Sequence, residues 1–333
     1  MKTFCIPDNQ IYSEQKIFSR LFSYVISGVS AKPKILISTL VTDTVTSTGT
    51  WTAPSNILNN EVIVECWGGG GSGGRSGYEA TGGGGGAYSK KTLTVVPTTE
   101  YTVTVGTGGT AIDATTVSGG NDGGDSWFST SGTVLAKGGK GGKNTESTVL
   151  TAGAQGGQAS EGVGDVKYNG GNSGSAGGTG INATGGGGGA GDAAVGSNSS
   201  DANNNTASSG ASGGSANGGN GGDGKREAGD TNAGSGAVRG GGGGAKVYNG
   251  SNTYSSGAGG RGEVRMTYYT FTILTSTISE TLTLAETGSL TIASLIVTIR
   301  NKIRLTEKYT NVLQRLKNMT KSAVSTLKNM NKN

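Results

Sequence analysis

The chain of 333 residues contains no histidine. That takes away the side chain most often used as a general base, the partner of Ser and Cys nucleophiles, and the commonest zinc ligand. Asn121, Asp122 and Asp125 in "GGNDGGDSW" offer oxygens of the kind Ca²⁺ accepts, but these are also ordinary turn residues, and the turn reading is preferred. "GGKGGKNT" (138–145) and "NGGDGKRE" (220–227) brush against a phosphate loop. Each puts the wrong residue after Gly-Lys, Asn144 or Arg226, where Ser or Thr would hold the metal. Cys5 and Cys66 lie far apart and flank no CxxC. They read as free buried thiols in preference to a disulfide, though pairing stays open. Tyr168, Tyr248 and Tyr254 are the only aromatic residues in 138–262. An exposed Tyr is a low-entropy binding group, and it also anchors loops; both roles stay open. No catalytic residue, metal site or cofactor is expected.

The elements that would position these residues fall into blocks. Gly accounts for 66 residues, far above the usual ~7%, while aromatic residues make up 6%. A single large core is ruled out, and so is collagen, because there is no strict Gly-X-Y period and only four Pro. The net charge of +5 divides unevenly. Residues 300–333 hold nine Lys/Arg against one Glu, a balance of +8, which leaves about −3 for the rest. Basicity therefore belongs to a tail, and no nucleic-acid face is expected on the body. Residues 1–16 lack the apolar run of a secretory signal, and 290–299 is about half the length that spans a bilayer.

Residues 1–32 form an attachment segment in which 13–28 reads as an amphipathic helix. From 33 to 142 short segments rich in Val, Thr, Tyr and Trp alternate with turn residues: "KILISTLV", "GTWTAP", "NEVIVECW", "AYSKKTLTVV", "EYTVTVG", "DSWFST" and "TVLAKGG". They predict a mainly β fold, an antiparallel β-sandwich whose core holds Trp51, Trp67 and Trp127. Residues 138–262 contain 43 Gly and neither Trp nor Phe. "GEVRMTYYTF" (262–271) then returns as one more strand, which makes the Gly-rich block an insertion within a domain of 33–271. The remainder, 272–333, reads as a Thr/Leu-rich stalk followed by a basic helix over 302–330, either a short coiled coil or a surface-lying helix.

The ordered segments "GTWTAPSNILNNEVIVECWGGGGSGG", "GGGGGAYSKKTLTVVPTTEYTVTVGTGG", "GGDSWF…GTVLAKGGKGG" and "GGRGEVRMTYY" resemble the glycine-rich domain of phage tail-fibre and related virion surface proteins. The matching positions include Trp51, Pro54, Trp67, Tyr88, Tyr101 and Tyr268, and the likeness covers about 49–270. It implies a β-sandwich with Gly-rich loops used in virion structure or surface attachment, and no catalytic residue.

Without the resemblance, the glycines have a physical reading. Oligo-Gly can adopt polyglycine II, an extended threefold form with the geometry of polyproline II. Lacking Cβ, such struts approach closely and bond through backbone N–H and C=O. Candidate struts are 68–74, 82–86, 138–142, 177–180, 185–189, 218–224, 240–244 and 257–262, with freely variable loops rich in Asn, Ser, Ala and Asp between them. Ordering costs ~1–2 kcal/mol per residue against ~0.5–1.5 returned per net hydrogen bond, so a partly flexible block competes.

The functional expectation is a non-enzymatic virion structural or adhesive protein, a tail or fibre component. Its partners would be itself as a homo-oligomer such as a trimer, other virion proteins, and a host cell-surface glycan or protein. Alternatives are an architectural capsid-decoration or cell-surface filament protein, and a polysaccharide- or ice-binding protein. For the last, no Thr/Ser ladder at threefold spacing is evident in 143–260.

Overall fold

In the computed structural model the described residues are 4–6 and 34–275, apart from 216, 227–230 and 249–253. They belong to two units, 1–37 with 273–333, and 38–272. In the first, Phe4–Ile6 pairs in parallel with 35–37. The helices expected over 13–28 and 302–330, and the stalk from 276 on, lie outside the described residues. The second unit, 38–272, holds all but two of the glycines and nearly all of the strands.

The chain is mainly β. One sheet runs in the order Lys34–Val45, Glu263–Thr275, Glu61–Trp67, Tyr88–Thr94, Val166–Tyr168, and a second in the order Val134–Ala136, Ser126–Phe128, Glu100–Thr104, Gly49–Thr52. From Glu263–Thr275 onward in the first sheet, and throughout the second, neighbouring strands pair antiparallel. The returning strand sets Glu263 opposite Trp67 and Val264 opposite Cys66. Period-two alternation decides what is buried. Val62, Val64 and Cys66 of one sheet and Val103, Phe128 and Val134 of the other join a single apolar cluster with Val264, Met266 and Tyr268. Trp51 sits among the rings, 5.6 Å from Tyr268 and 5.8 Å from Phe128 with edges to faces. Asp43 Oδ2 accepts from both Trp51 Nε1 (2.8 Å) and Tyr268 OH (2.7 Å), so neither polar end is stranded. Tyr101 packs against this cluster, and Pro54 lies half-buried in the following turn. Two of the three tryptophans lie elsewhere. Trp127 is half-buried between two buried strand neighbours and is turned to the other face. Trp67 packs on Tyr88 and Ala190 where the sheet meets the glycines.

Beyond Trp67 the hydrogen-bonding period changes from two to three. Gly68, Gly71 and Gly74 donate to Ala87, Gly84 and Thr81; Gly69 and Ser72 donate to Gly124 and Asn121; Gly70 and Gly73 donate to Gly260 and Gly257, all at 2.8–3.0 Å. Every third residue addresses the same neighbour, as a threefold extended strut requires. The carbonyls of this strut receive Gly139, Gly142, Gly243, Lys246 and Gly109. Its surroundings are therefore 81–87, 118–124, 257–260, 139–142, 243–246 and 106–109, a hexagonal arrangement. The same bonding pattern defines four inner struts, 68–74, 82–87, 184–190 and 240–245. Around them close ten outer ones: 106–109, 119–124, 138–142, 153–158, 169–175, 196–202, 208–214, 218–224, 234–237 and 257–260. A four-membered rhombus on a hexagonal net has ten sites in its first ring, so among the described residues the shell is complete.

Glycine is required by the spacing of the struts. A Cβ on Gly68, Gly70 or Gly85 would overlap the carbonyl of Lys137, Gly241 or Gly188. Where the chain doubles back into 240–245, Arg239 (φ 64) and Gly240 (φ 81) take the left-handed region. The block 138–262 is not set apart from what precedes it: struts 68–74, 82–87, 106–109 and 119–124 share its bonds.

Candidate functional site

Side chains resume at the two ends of the inner struts, and there they cluster. At the end nearest the sheets stand Trp67, Tyr88, Ala190 and Arg239, each immediately flanking or ending a strut. Arg239 and Arg265 lie over the Trp67 ring at 5.3 and 5.0 Å. Arg239 Nε donates to Glu263 at 2.9 Å, and Tyr88 OH donates to Glu65 at 2.6 Å. Burial, with the Glu65 carboxylate beside it, pushes the Tyr88 phenol well above its ordinary range. Tyr168 belongs to this end, stacked on Tyr88 at 6.0 Å.

The far end is ~20 Å away at ~3.1 Å per residue. It carries Arg75 and Lys246, opposite each other in a short parallel pairing, and Glu79 opposite Asn182. Arg75, Lys246 and Glu79 are all buried. Arg75 donates to the carbonyls of Tyr254 (Nε) and Thr116 (Nη1), both at 2.9 Å, and lies 4.3 Å over the Tyr248 ring. Lys246 Nζ donates to the Thr231 carbonyl and lies 5.1 Å from the Tyr254 ring. Glu79 Oε1 accepts from Asn182 Nδ2 at 3.0 Å, Oε2 has no hydrogen-bond partner, and burial raises this carboxyl. Strut directions bring the connections 75–80, 111–118, 144–151, 176–183 and 203–207 to this same end. The expected strut 177–180 is thus part of a connection, where Gly178 (φ 99) and Gly180 (φ 93) take the left-handed region.

The structure thus brings Tyr248 and Tyr254 together around buried cations and places Tyr168 at the opposite end of the bundle. All three are partly buried and engaged by neighbouring side chains. Cys66 is a free, fully buried thiol, pushed upward by burial. Asp122 and Asp125 engage backbone amides and lysines. Their Oδ1 atoms accept the Gly141 and Gly138 N–H at 2.8 Å, and their Oδ2 atoms pair with Lys140 and Lys137.

That arrangement repeats around the perimeter. Asn169 and Asn172 accept from Ala159 and Gly156; Asn198 and Asp201 from Asn172 and Ser175; Asn220 and Asp223 from Gly213 and Gly210. Each pair is three residues apart, so both carboxamide or carboxylate oxygens face one neighbouring strut and close its N–H groups. Of these, Asn169, Asn172, Asn198 and Asp201 fall between the expected struts, in stretches expected to vary freely; they are instead tied to the bundle. Their spacing, Asx-x-x-Asx, is the signal that could have found them, visible in the sequence at 122/125, 169/172, 198/201 and 220/223. A serine ladder escaped the sequence pattern as well: Ser209, Ser212 and Ser215 are exposed at threefold spacing.

A family profile described as a glycine-rich domain matches residues 42–269, more than half of the chain. No curated protein matches. On that match, together with the strut bundle it spans, the chain belongs to the glycine-rich domain family.

Proposed function

We propose that this chain is a non-enzymatic structural and adhesive protein of a virion, a tail or fibre component that meets the host surface with the far end of its strut bundle. The observation that carries the reading is the gathering of connections 111–118, 144–151, 176–183 and 203–207 at one end of a hydrogen-bonded bundle. Loops mounted on a stiff scaffold can vary without disturbing it, which suits recognition. The resemblance of the strand motifs to virion surface domains supports the same assignment. The finer architecture belongs to this reading: the two sheets are the leaves of a sandwich, the struts are polyglycine II, and 138–262 is its extended insertion. Partners would be further copies of the chain as a homo-oligomer, other virion proteins, and a host glycan or protein; no cofactor or nucleic acid takes part.

The test keeps every strut and replaces residues 145–150 and 203–206 by Gly/Ser turns of equal length. Adsorption of the assembled particle to its host should fall at least about tenfold while the chain stays folded. Unchanged adsorption would remove the recognition role. An architectural role, as capsid decoration or surface filament, is the second reading. The self-closed perimeter favours it, and a labelled copy distributed over a shell in electron micrographs would establish it.

A further inference from the structure

We propose that one flank of the bundle, formed by residues 155–158, 169–172 and 195–198, is a binding face for neutral polysaccharide. A shallow groove runs there, lined by Gln155, Gln158, Asn169, Asn172, Ser197 and Asn198. Its lining holds no charged side chain. Lysines on the neighbouring strut are paired, Lys140 with Asp122 at 2.9 Å and Lys137 with Asp125, and Lys167 Nζ donates to the Gly162 carbonyl.

The amides are fixed by the backbone. Asn169 Oδ1 accepts the Ala159 N–H at 2.7 Å, Asn172 Oδ1 the Gly156 N–H at 2.9 Å, and Asn198 Oδ1 the Asn172 N–H at 2.8 Å. A backbone N–H can face only the oxygen of a carboxamide, so these bonds settle which atom is which. The Nδ2 groups are thereby left as donors on exposed side chains. Gln158 is fixed in the opposite sense: its Nε2 donates to the Gly156 carbonyl at 2.6 Å and leaves Oε1 as acceptor. Asn169 and Asn172 stand ~9 Å apart along a threefold strut. Rigid donors beside an acceptor, with no charge, match a ligand dense in hydroxyls, each of which both donates and accepts. Because the amides are already held, binding loses little rotamer freedom. The lining has no aromatic ring and only Val195 as an apolar group, which disfavours a protein partner, whose anchors are aromatic or large and apolar.

This inference rests on the adhesive reading for its biological meaning, but its experiment stands apart from the loop replacement. The full chain is titrated with soluble neutral glucan, mannan and galactan, and with an anionic uronan for contrast. At least one neutral polymer should bind and the uronan should not. Asn169→Asp, Asn172→Asp and Asn198→Asp together keep the oxygen that accepts each backbone N–H and remove the donors. Affinity should fall at least about tenfold with the melting temperature unchanged. Asn220→Asp, the same substitution at a cap outside the groove, should leave binding intact. Absence of binding to every neutral polymer, an equal loss in Asn220→Asp, or displacement of the glycan by an unfolded polypeptide would overturn the inference. Loss of adsorption on loop replacement without glycan binding would leave the adhesive reading standing alone.

Discussion

Gly71 donates its amide proton to the carbonyl of Gly84 at 2.9 Å, and three residues earlier Gly68 does the same to Ala87. Two segments that carry almost no side chains are thus held as tightly as paired β-strands. The bundle directs its backbone polar groups to its own neighbours, so burial of the chain leaves few of them stranded. The largest apolar cluster lies between the sheets around Trp51, with smaller ones at the two ends of the struts.

Close approach makes the inner glycines intolerant of even one methyl. Gly70→Ala and Gly85→Ala place a Cβ against a backbone carbonyl, which has no rotamer to change. Each should destabilise by more than the ~1–3 kcal/mol of ordinary overpacking, read by denaturant titration. Gly49→Ala, where the nearest atom is 3.9 Å away, should be neutral or gain up to ~1 kcal/mol. Equal effects at Gly70 and Gly49 would contradict the packing.

The perimeter caps separate acceptor from charge. Asp125→Ala strands the Gly138 N–H and loses the Lys137 ion pair, and should cost about 1–2 kcal/mol. Asp125→Asn keeps an oxygen for Gly138 and loses only a half-exposed ion pair, so it should cost less than ~1 kcal/mol. Thermal melts of the two variants at low salt and at high salt would show whether charge or capping dominates.

Glu79 gives a pH dependence of known sign. Burial raises its carboxyl above the usual 4.5, so the folded chain keeps a proton where the unfolded chain has released it. This contribution to stability is full below the unfolded value and fades as pH rises through the folded one. Glu79→Gln keeps an oxygen for Asn182 Nδ2 and removes the titration. Its melting temperature relative to the unaltered chain should therefore climb as pH is raised above the usual 4.5. A difference that stays constant over that range would show that Glu79 does not titrate there.

Cys66 should resist alkylation in the native state and react only at the rate of unfolding, because it is fully buried and its thiol is held protonated. Rapid labelling in native buffer, followed by mass spectrometry of the 61–75 peptide, would place it at the surface.

Much of the sheet region was legible. Alternation in "NEVIVECW", "EYTVTVG" and "GEVRMTYYTF" located the strands Glu61–Trp67, Glu100–Thr104 and Glu263–Thr275, because a half-buried sheet imposes period two on its side chains. Trp127 escaped, since its face depends on register against Leu135 and Thr104, which composition does not reveal. The Val166–Tyr168 strand escaped too, being only three residues within a Gly-rich stretch. The struts themselves could be named from runs of glycine. Their count and closure could not, because outer struts such as 196–202 and 208–214 are built from Ser, Asn and Ala as much as Gly. Only their inward positions must be small, and that period of three emerges once the partners are known. Of the three candidate tyrosines, the meeting of Tyr248 and Tyr254 over Lys246 and Arg75 depends on strut direction, which no local pattern encodes.

Amide hydrogen–deuterium exchange of the full chain, resolved to single residues, tests the central claim most directly. The inner struts 68–74, 82–87, 184–190 and 240–245 should exchange as slowly as the Glu61–Trp67 strand, and exposed connection amides such as those of Thr115, Val117, Asn204 and Asn205 should exchange fast. Complete deuteration of those inner struts within seconds under native conditions, with the Glu61–Trp67 strand still protected, would contradict a backbone-bonded bundle.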